Sequence, residues 1–329
     1  SEIRNNDNTA RIFGKRCFVV GADKVNRVTS IQGATIEYAY GDEVTTWSQS
    51  VFEMLKSRLR TPTSVFDGTC NPDHPDHYIK KFLDSDADIY HQHYTMDDNP
   101  FLAPKYVRDI KREYAGSVYY DRLIKGLWVR AEGAIYSRFA ADPEAYLTDN
   151  PDYDFIEIGV DFGGNKSAFA FVATGLKNDY SKLTALCSER HVAKNVTPEQ
   201  MYELFEVFVQ RVLDNYGKAE DAYCDSAEQT LINGLRGRSR ITIRNSLKKP
   251  IMDRVRALVA LIGSGRFFYT KDCETLRDAL CGAVYNDKKL YDERLDDGTS
   301  DIDTLDAFEY SWERHIKWYA RSVPAERGE

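Results

Sequence analysis

The sequence has no apolar run approaching the roughly 18 residues of a membrane span and no secretory signal at its start. It also lacks a CxxC pair and a GxxxxGK[ST] phosphate loop. From the first absence no membrane-spanning helix is expected. Cysteines at 17, 70, 187, 224, 273 and 281 have no regular spacing, so they are expected to be reduced thiols in a cytoplasmic setting. Without the phosphate loop there is no backbone cradle and lysine for the β- and γ-phosphates, so turnover of ATP by this chain alone is not expected. Gly163-Gly164-Asn165-Lys166-Ser167 resembles such a loop superficially but lacks its spacing.

What is present suits a globular protein of two domains. The 329 residues are 42% hydrophobic and 29% charged, enough to bury two cores. The net charge of −8 argues at first against nucleic acid, but charge is unevenly spread. Arg236, Arg238, Arg240, Arg244, Lys248, Lys249, Arg254 and Arg256 are opposed only by Asp253. Seven acids and one arginine follow between Asp292 and Asp306. A phosphate grip beside a metal site would have this pattern, and so would two solvated faces of opposite sign.

The organising stretch is Phe155-Ile156-Glu157-Ile158-Gly159-Val160-Asp161-Phe162-Gly163-Gly164, an apolar run ending on a carboxylate and two glycines. It reads as a buried strand that holds Asp161 rigidly where sheet meets solvent. Apolar runs 167–174 and 183–188, separated by the turn Gly175 to Ser181, complete a three-stranded meander. A meander whose first strand carries an aspartate suggests an RNase H-like core. A strand-end Asp that merely caps a turn is the competing reading.

Ahead of this lies a series of weaker signals. A strand is expected at 17–21 and a helix or loop at 23–31. Ala34 to Gly41 reads as a strand that ends in Asp42-Glu43, the form of a Walker B element. There Asp42 would help hold Mg²⁺ on a nucleoside triphosphate and Glu43 would orient or deprotonate the attacking water. A helix follows at 48–59, then a strand into Thr69-Cys70-Asn71-Pro72, where the Asn71 amide could sit near a γ-phosphate or simply form a turn. His74, His77, His91 and His93 cluster near Cys70, but their spacing matches no common zinc pattern. Helices are expected at 105–114 and 119–127, and Ala140 to Pro151 is acidic and polar with two prolines, as a linker would be.

The ordered series Tyr40-Gly41-Asp42-Glu43, Asn71-Pro72, Asp98-Asn99-Pro100, Gly126-Leu127-Trp128 with Glu132-Gly133, and the strand ending in Asp161 closely resembles the large subunit of tailed-phage terminases. The resemblance runs over essentially the whole chain. It implies an α/β protein: a partial P-loop ATPase domain at 1–139, a linker at 140–152 and an RNase H-like nuclease domain at 153–329. By the same resemblance, partners would be double-stranded DNA, a terminase small subunit and the capsid portal. The motor would be a homo-oligomeric ring at the procapsid in the host bacterial cytoplasm, absent from the finished virion. The missing phosphate loop departs from the family, so ATP with Mg²⁺ is expected only in a complete motor.

A two-metal nuclease needs several carboxylates converging from different elements. Asp161 is one. Thr197-Pro198-Glu199-Gln200 opens a helix with a capping box, and Met201, Leu204, Phe205, Phe208, Val209, Val212 and Leu213 give it one apolar face. Ala222-Tyr223-Cys224-Asp225 then reads as the fourth strand, which lies beside the first in an RNase H-like sheet and would set Asp225 opposite Asp161. Glu228 is a weaker candidate. Strands at 241–243 and 266–270 and helices from Pro250 and over 276–284 follow.

Last, Asp301, Asp303 and Asp306 enter a final helix, and acids three apart share a face. The resemblance makes Asp303 the first choice for a third acid, with Asp306 second and Asp301 third. Two Mg²⁺ or Mn²⁺ ions on Asp161, Asp225 and Asp303 would support DNA cleavage. Arg236, Arg238, Arg240, Arg244, Lys248 and Lys249 would contact the DNA backbone. Another RNase H-like DNA enzyme, or a non-catalytic motor fragment, are the alternatives.

Overall fold

The structure, a computed structural model, describes residues 2–4, 9–12, 14–22, 28–163, 167–289 and 291–320. The chain divides into two compact units: Ser1–Tyr94 with Gly126–Val129, and Thr95–Lys125 with Arg130–Glu329. Most of 95–139 and all of 140–152, expected with the first domain or as a linker, thus belong to the second unit. Among the described residues no helix is long and apolar enough to cross a membrane.

In the first unit, β1 (Glu2–Arg4), β2 (Thr9–Ile12) and β3 (Lys15–Phe18) form an antiparallel meander. After α1 (Val28–Ile31) come β4 (Tyr38–Gly41), α2 (Gln49–Arg58), β5 (Val65–Gly68) and α3 (Tyr78–Leu83). β4 and β5 pair in parallel, Tyr38 opposite Val65 through Gly41 opposite Gly68. Parallel neighbours require a crossover, and α2 supplies it. Val44, Phe52 and Ile79 form the small core, with Trp47, Phe66 and Phe82 packed on it. The strand expected at 17–21 stops at Phe18, and the one expected from Ala34 starts only at Tyr38. Residues 23–27 lie outside the described residues.

The second unit opens with α4 (Pro104–Tyr114) and α5 (Ser137–Ala141). Between them the helix expected over 119–127 is a single wide turn, Tyr120–Ile124, closed by Lys125 N–H donating to the Tyr120 carbonyl at 3.2 Å. Gly116 and Gly126, both at positive φ, bound it on either side and stop propagation.

The sheet follows: β6 (Phe155–Asp161), β7 (Ala168–Leu176), β8 (Leu183–Val192), α6 (Pro198–Tyr216), β9 (Ala219–Cys224), α7 (Gln229–Arg236) and β10 (Thr242–Asn245). After α8 (Ile251–Gly263) come β11 (Phe267–Tyr269), α9 (Glu274–Gly282), α10 (Ile302–Trp312) and α11 (Ile316–Tyr319). The strand order is β10-β9-β6-β7-β8-β11. β6, β7 and β8 are antiparallel neighbours, while β9 on β6, β10 on β9 and β11 on β8 are parallel. This is the expected RNase H-like sheet with β11 added at one edge.

Alternation in β6 sorts its side chains onto two faces. Ile156, Ile158 and Val160 join one core with Phe205, Phe208 and Val209 of α6. Thr197 caps α6 in the expected reciprocal box, accepting from Gln200 N–H at 3.3 Å while Gln200 Oε1 accepts from Thr197 N–H at 2.9 Å. The other core sets Ala170 and Val172 of β7 against Leu305, Ala307, Phe308 and Trp312 of α10. α10 lies so close to β6 that a Cβ on Gly159 would stand 1.7 Å from the carbonyl oxygen of Ala307. Only glycine fits this crossing.

Candidate functional site

The strand register sets the first two acids side by side. Val160 of β6 pairs with Cys224 of β9, and the next residue on each strand is an aspartate. Asp225 N–H donates to the Val160 carbonyl at 3.0 Å, which extends the ladder one step and seats Asp225 beside Asp161. Parallel neighbours at one level project to the same face, here the face that α10 crosses. Glu157 is the other carboxylate on that face of β6. It is closed off by hydrogen bonds that it accepts from the Tyr223 hydroxyl at 3.1 Å and from His315 Nε2 at 2.9 Å.

α10 adds the remaining acids from its first turns. Asp301 caps it, accepting from Thr304 N–H at 3.1 Å and the Thr304 hydroxyl at 2.6 Å, and pairs with Arg190 Nε at 3.0 Å. Asp303 accepts from the Ser167 hydroxyl and, at 2.9 Å, from Ala168 N–H at the start of β7. Asp306 is held by Arg294 and by Arg254 Nη1 at 3.5 Å. One turn on, Glu309, fully buried, bridges the same arginines at 2.9 Å and 2.8 Å.

Electrostatics tie these groups together. Asp161 is 8% exposed, and no described residue donates a hydrogen bond to its carboxylate. Burial pushes that carboxyl well above its ordinary range, and the carboxylates of Asp306, Asp225 and Asp303, in that order, push it further. Lys248 acts in the opposite sense, and its ammonium is paired with Asp225. For Arg294, burial works against the charge, but Glu309 and Asp306 hold the guanidinium above its usual value.

The cluster has the donor chemistry that oxygen-loving divalent cations take, and Asp161 is a buried acid crowded by like charges. Among the described residues, no three His, Cys, Asp or Glu side chains converge as a finished metal shell. The acids stand engaged by Lys248, Arg254, Arg294 and Ser167 instead. Glu228 is exposed ahead of α7.

The basic stretch is largely absorbed by the fold. Arg236 donates to the Ile243 carbonyl at 3.2 Å and to Asn233 and Asn245. Arg238 lies over the Tyr202 ring, Arg240 reaches Gln210 and Glu206, and Arg244 pairs with Asp221 at 2.8 Å. Lys249 contributes its backbone N–H to Glu313 at 2.8 Å.

In the first unit, Asp42 and Glu43 follow β4, and Asn71 follows β5. The Asn71 amide donates to both Glu43 oxygens at 3.0 and 3.1 Å, and the Thr69 hydroxyl donates to Asp42 at 2.9 Å. Glu43 itself holds a left-handed φ of 49°. The histidines serve locally. His74 Nδ1 accepts from Asp76 N–H, His77 from Ile79 N–H, and His93 bonds the Gly126 carbonyl.

Sequence reasoning missed Arg294, Glu309 and Glu313. The signal was present: acids at 303, 306 and 309 recur at helical spacing along the mostly apolar α10, and Glu313 follows it at the next step of that spacing.

A strand-end carboxylate cluster on an RNase H-like sheet, preceded in the chain by a unit in which an Asp-Glu pair follows a parallel strand, defines a two-unit α/β architecture. Residues 8–142 match the family described as terminase large subunit, T4likevirus-type, N-terminal. That stretch is thus similar to the N-terminal region of terminase large subunits, and the chain as a whole has the large-terminase fold.

The large terminase of a thermophilic bacteriophage superposes with a TM-score of 0.81 at 24% identity, covering 94% of this chain and 77% of that one. The same protein in complex with ATP-gamma-S gives 0.78 at the same identity and coverage. The nuclease domain of the bacteriophage SPP1 large terminase, with bound Mn, is 22% identical over 51% of this chain and 92% of that one, with a TM-score of 0.39. No curated protein matches the sequence.

Proposed function

We propose that this chain is the DNA-packaging large subunit of a phage terminase and that its RNase H-like unit is a divalent-metal endonuclease on double-stranded DNA. The observation that carries the reading is the register that sets Asp161 beside Asp225, on the face where α10 delivers Asp303 and Asp306. Asp161, Asp225 and Asp306 would hold two Mg²⁺ or Mn²⁺ ions. Both acids are engaged, Asp303 by Ser167 and Ala168 and Asp306 by Arg294 and Arg254, and Asp306 is favoured because its charge bears more heavily on Asp161. When bound, such ions activate water and neutralise charge at the phosphodiester. The protein's share is to fix the acids before substrate arrives: two by backbone pairing, one by an arginine clamp. Lys249 and the exposed faces of Arg238 and Arg240 would meet the DNA backbone without reading sequence.

In the complete motor, Asp42, Glu43 and Asn71 would serve ATP with Mg²⁺, and the chain would act with a small subunit and portal at the procapsid in the host cytoplasm. The complex of the thermophilic-phage terminase with ATP-gamma-S supports this reading. The test is cleavage of supercoiled plasmid by wild type and Asp161→Ala with Mn²⁺, Mg²⁺ or EDTA. Nicking and linearisation that need the metal and vanish in the variant are expected. A folded wild type that leaves plasmid intact under every condition refutes the nuclease.

A further inference from the structure

Lys248 does not reach Asp225 as a surface lysine falling on a nearby acid. Its backbone is left-handed, φ 47°, an uncommon and strained state for a non-glycine residue. Glu313, 1% exposed, holds that backbone in place. Its Oε1 accepts from Leu247 N–H at 2.7 Å and Lys248 N–H at 3.0 Å, and its Oε2 accepts from Lys249 N–H at 2.8 Å. Three successive amides on one buried carboxylate form a rigid loop, and Glu313 directly follows α10, whose first turns carry Asp303 and Asp306. One helix therefore sets both the acids and the loop whose lysine partners them.

We propose that Lys248 is a built-in counter-cation of the acid cluster, competing with a divalent ion for Asp225. The inference rests on the metal-site reading above. The ammonium satisfies part of the positive charge that four neighbouring carboxylates demand, which lets the unit fold without metal. An ion that ligates Asp225 needs the same oxygens, so its binding must detach Lys248. Detached, the side chain is free to pair with a phosphate, which links metal uptake to the DNA backbone. Glu313 is a positioning residue in this scheme, acting through the loop.

The experiment is a Mn²⁺ titration without DNA, read by the electron paramagnetic resonance signal of the free ion. It compares wild type, Lys248→Ala, Lys248→Arg, Glu313→Gln and Asp225→Asn. Removing a half-exposed ion pair should tighten Mn²⁺ binding in Lys248→Ala by roughly two- to fivefold, the range such pairs are worth. Lys248→Arg should stay near wild type, and Glu313→Gln, with one acceptor oxygen in place of two, should move toward Lys248→Ala. Asp225→Asn should weaken binding. If wild type binds Mn²⁺ and Lys248→Ala binds it no more tightly, this inference alone falls. If wild type binds none at any concentration, the metal-site reading falls with it.

Discussion

Gly159→Ala tests the seating of α10 with a single methyl group. The added Cβ would stand 1.7 Å from the Ala307 carbonyl oxygen and 2.8 Å from the Ser311 nitrogen. A relaxed carbon–oxygen contact is roughly 3.3 Å, so one element must retreat by about 1.6 Å. Both contacts are backbone, so no side-chain rotation relieves them, and β6 is pinned between β7 and β9. α10 has to move. Overpacking of this kind costs about 1–3 kcal/mol, or roughly 2–12 °C in Tm for a unit of this size. The helix also carries Asp303 and Asp306, and a 1 Å misplacement of reacting groups can cost about a hundredfold in rate. Plasmid cleavage should therefore fall by roughly that factor at temperatures where the variant remains folded by circular dichroism. Gly282→Ala is the control, since nothing lies within 4 Å of a Cβ there and its φ is not positive. If Gly159→Ala melts with wild type and cleaves normally, the close crossing of helix and strand is refuted.

Two further outcomes follow from the buried charges. Glu309→Ala leaves Arg254 and Arg294 sharing only Asp306, and stranding buried charge in this way should cost about 3–5 kcal/mol by denaturant titration; a loss under 1 kcal/mol would mean that the clamp carries little. For Asp161, the folded-state pKa lies above its ordinary value of 3.8, so the folded chain binds that proton more tightly than the unfolded chain does. The penalty is complete above the folded pKa and fades as pH falls through it toward 3.8. In metal-free buffer Asp161→Asn should thus melt above wild type at neutral pH, with the gap closing on acidification. A gap that widens toward low pH would refute the assigned shift.

The centre of the sheet was legible because β6 and β7 are buried on both faces and read as continuous apolar runs bounded by turns. The residue run 155–161 announced both its strand and its terminal acid, and counting strands to Cys224 placed Asp225 correctly. α6 announced its own start through Thr197 and Gln200. The basic stretch was harder to read, because composition cannot tell an arginine facing DNA from one folded onto Asp221 or Gln210. The acids of α10 were visible as a group, but their division of labour was not. Asp301 caps, Asp303 ties to β7 and Asp306 is clamped, and the clamp includes Arg294, which lies in the acidic run where no role was sought for it. The short parallel pair of the first unit was overextended because Ala34 to Glu37 has strand-like residues without a neighbouring strand to pair with.

The pairing of Asp161 with Asp225 also bears on how such a protein can vary. Their separation is set by the spacing of adjacent strands, about 4.8 Å, and not by the conformation of any loop. Loops between β8 and α6, or beyond α7, can lengthen or shorten without touching it. A single-residue insertion inside β6 or β9 is different in kind. It would turn one aspartate onto the α6 face while leaving length, charge and composition nearly as before. Lineages of this fold should therefore record their history as insertions in loops, with the two central strands kept in step.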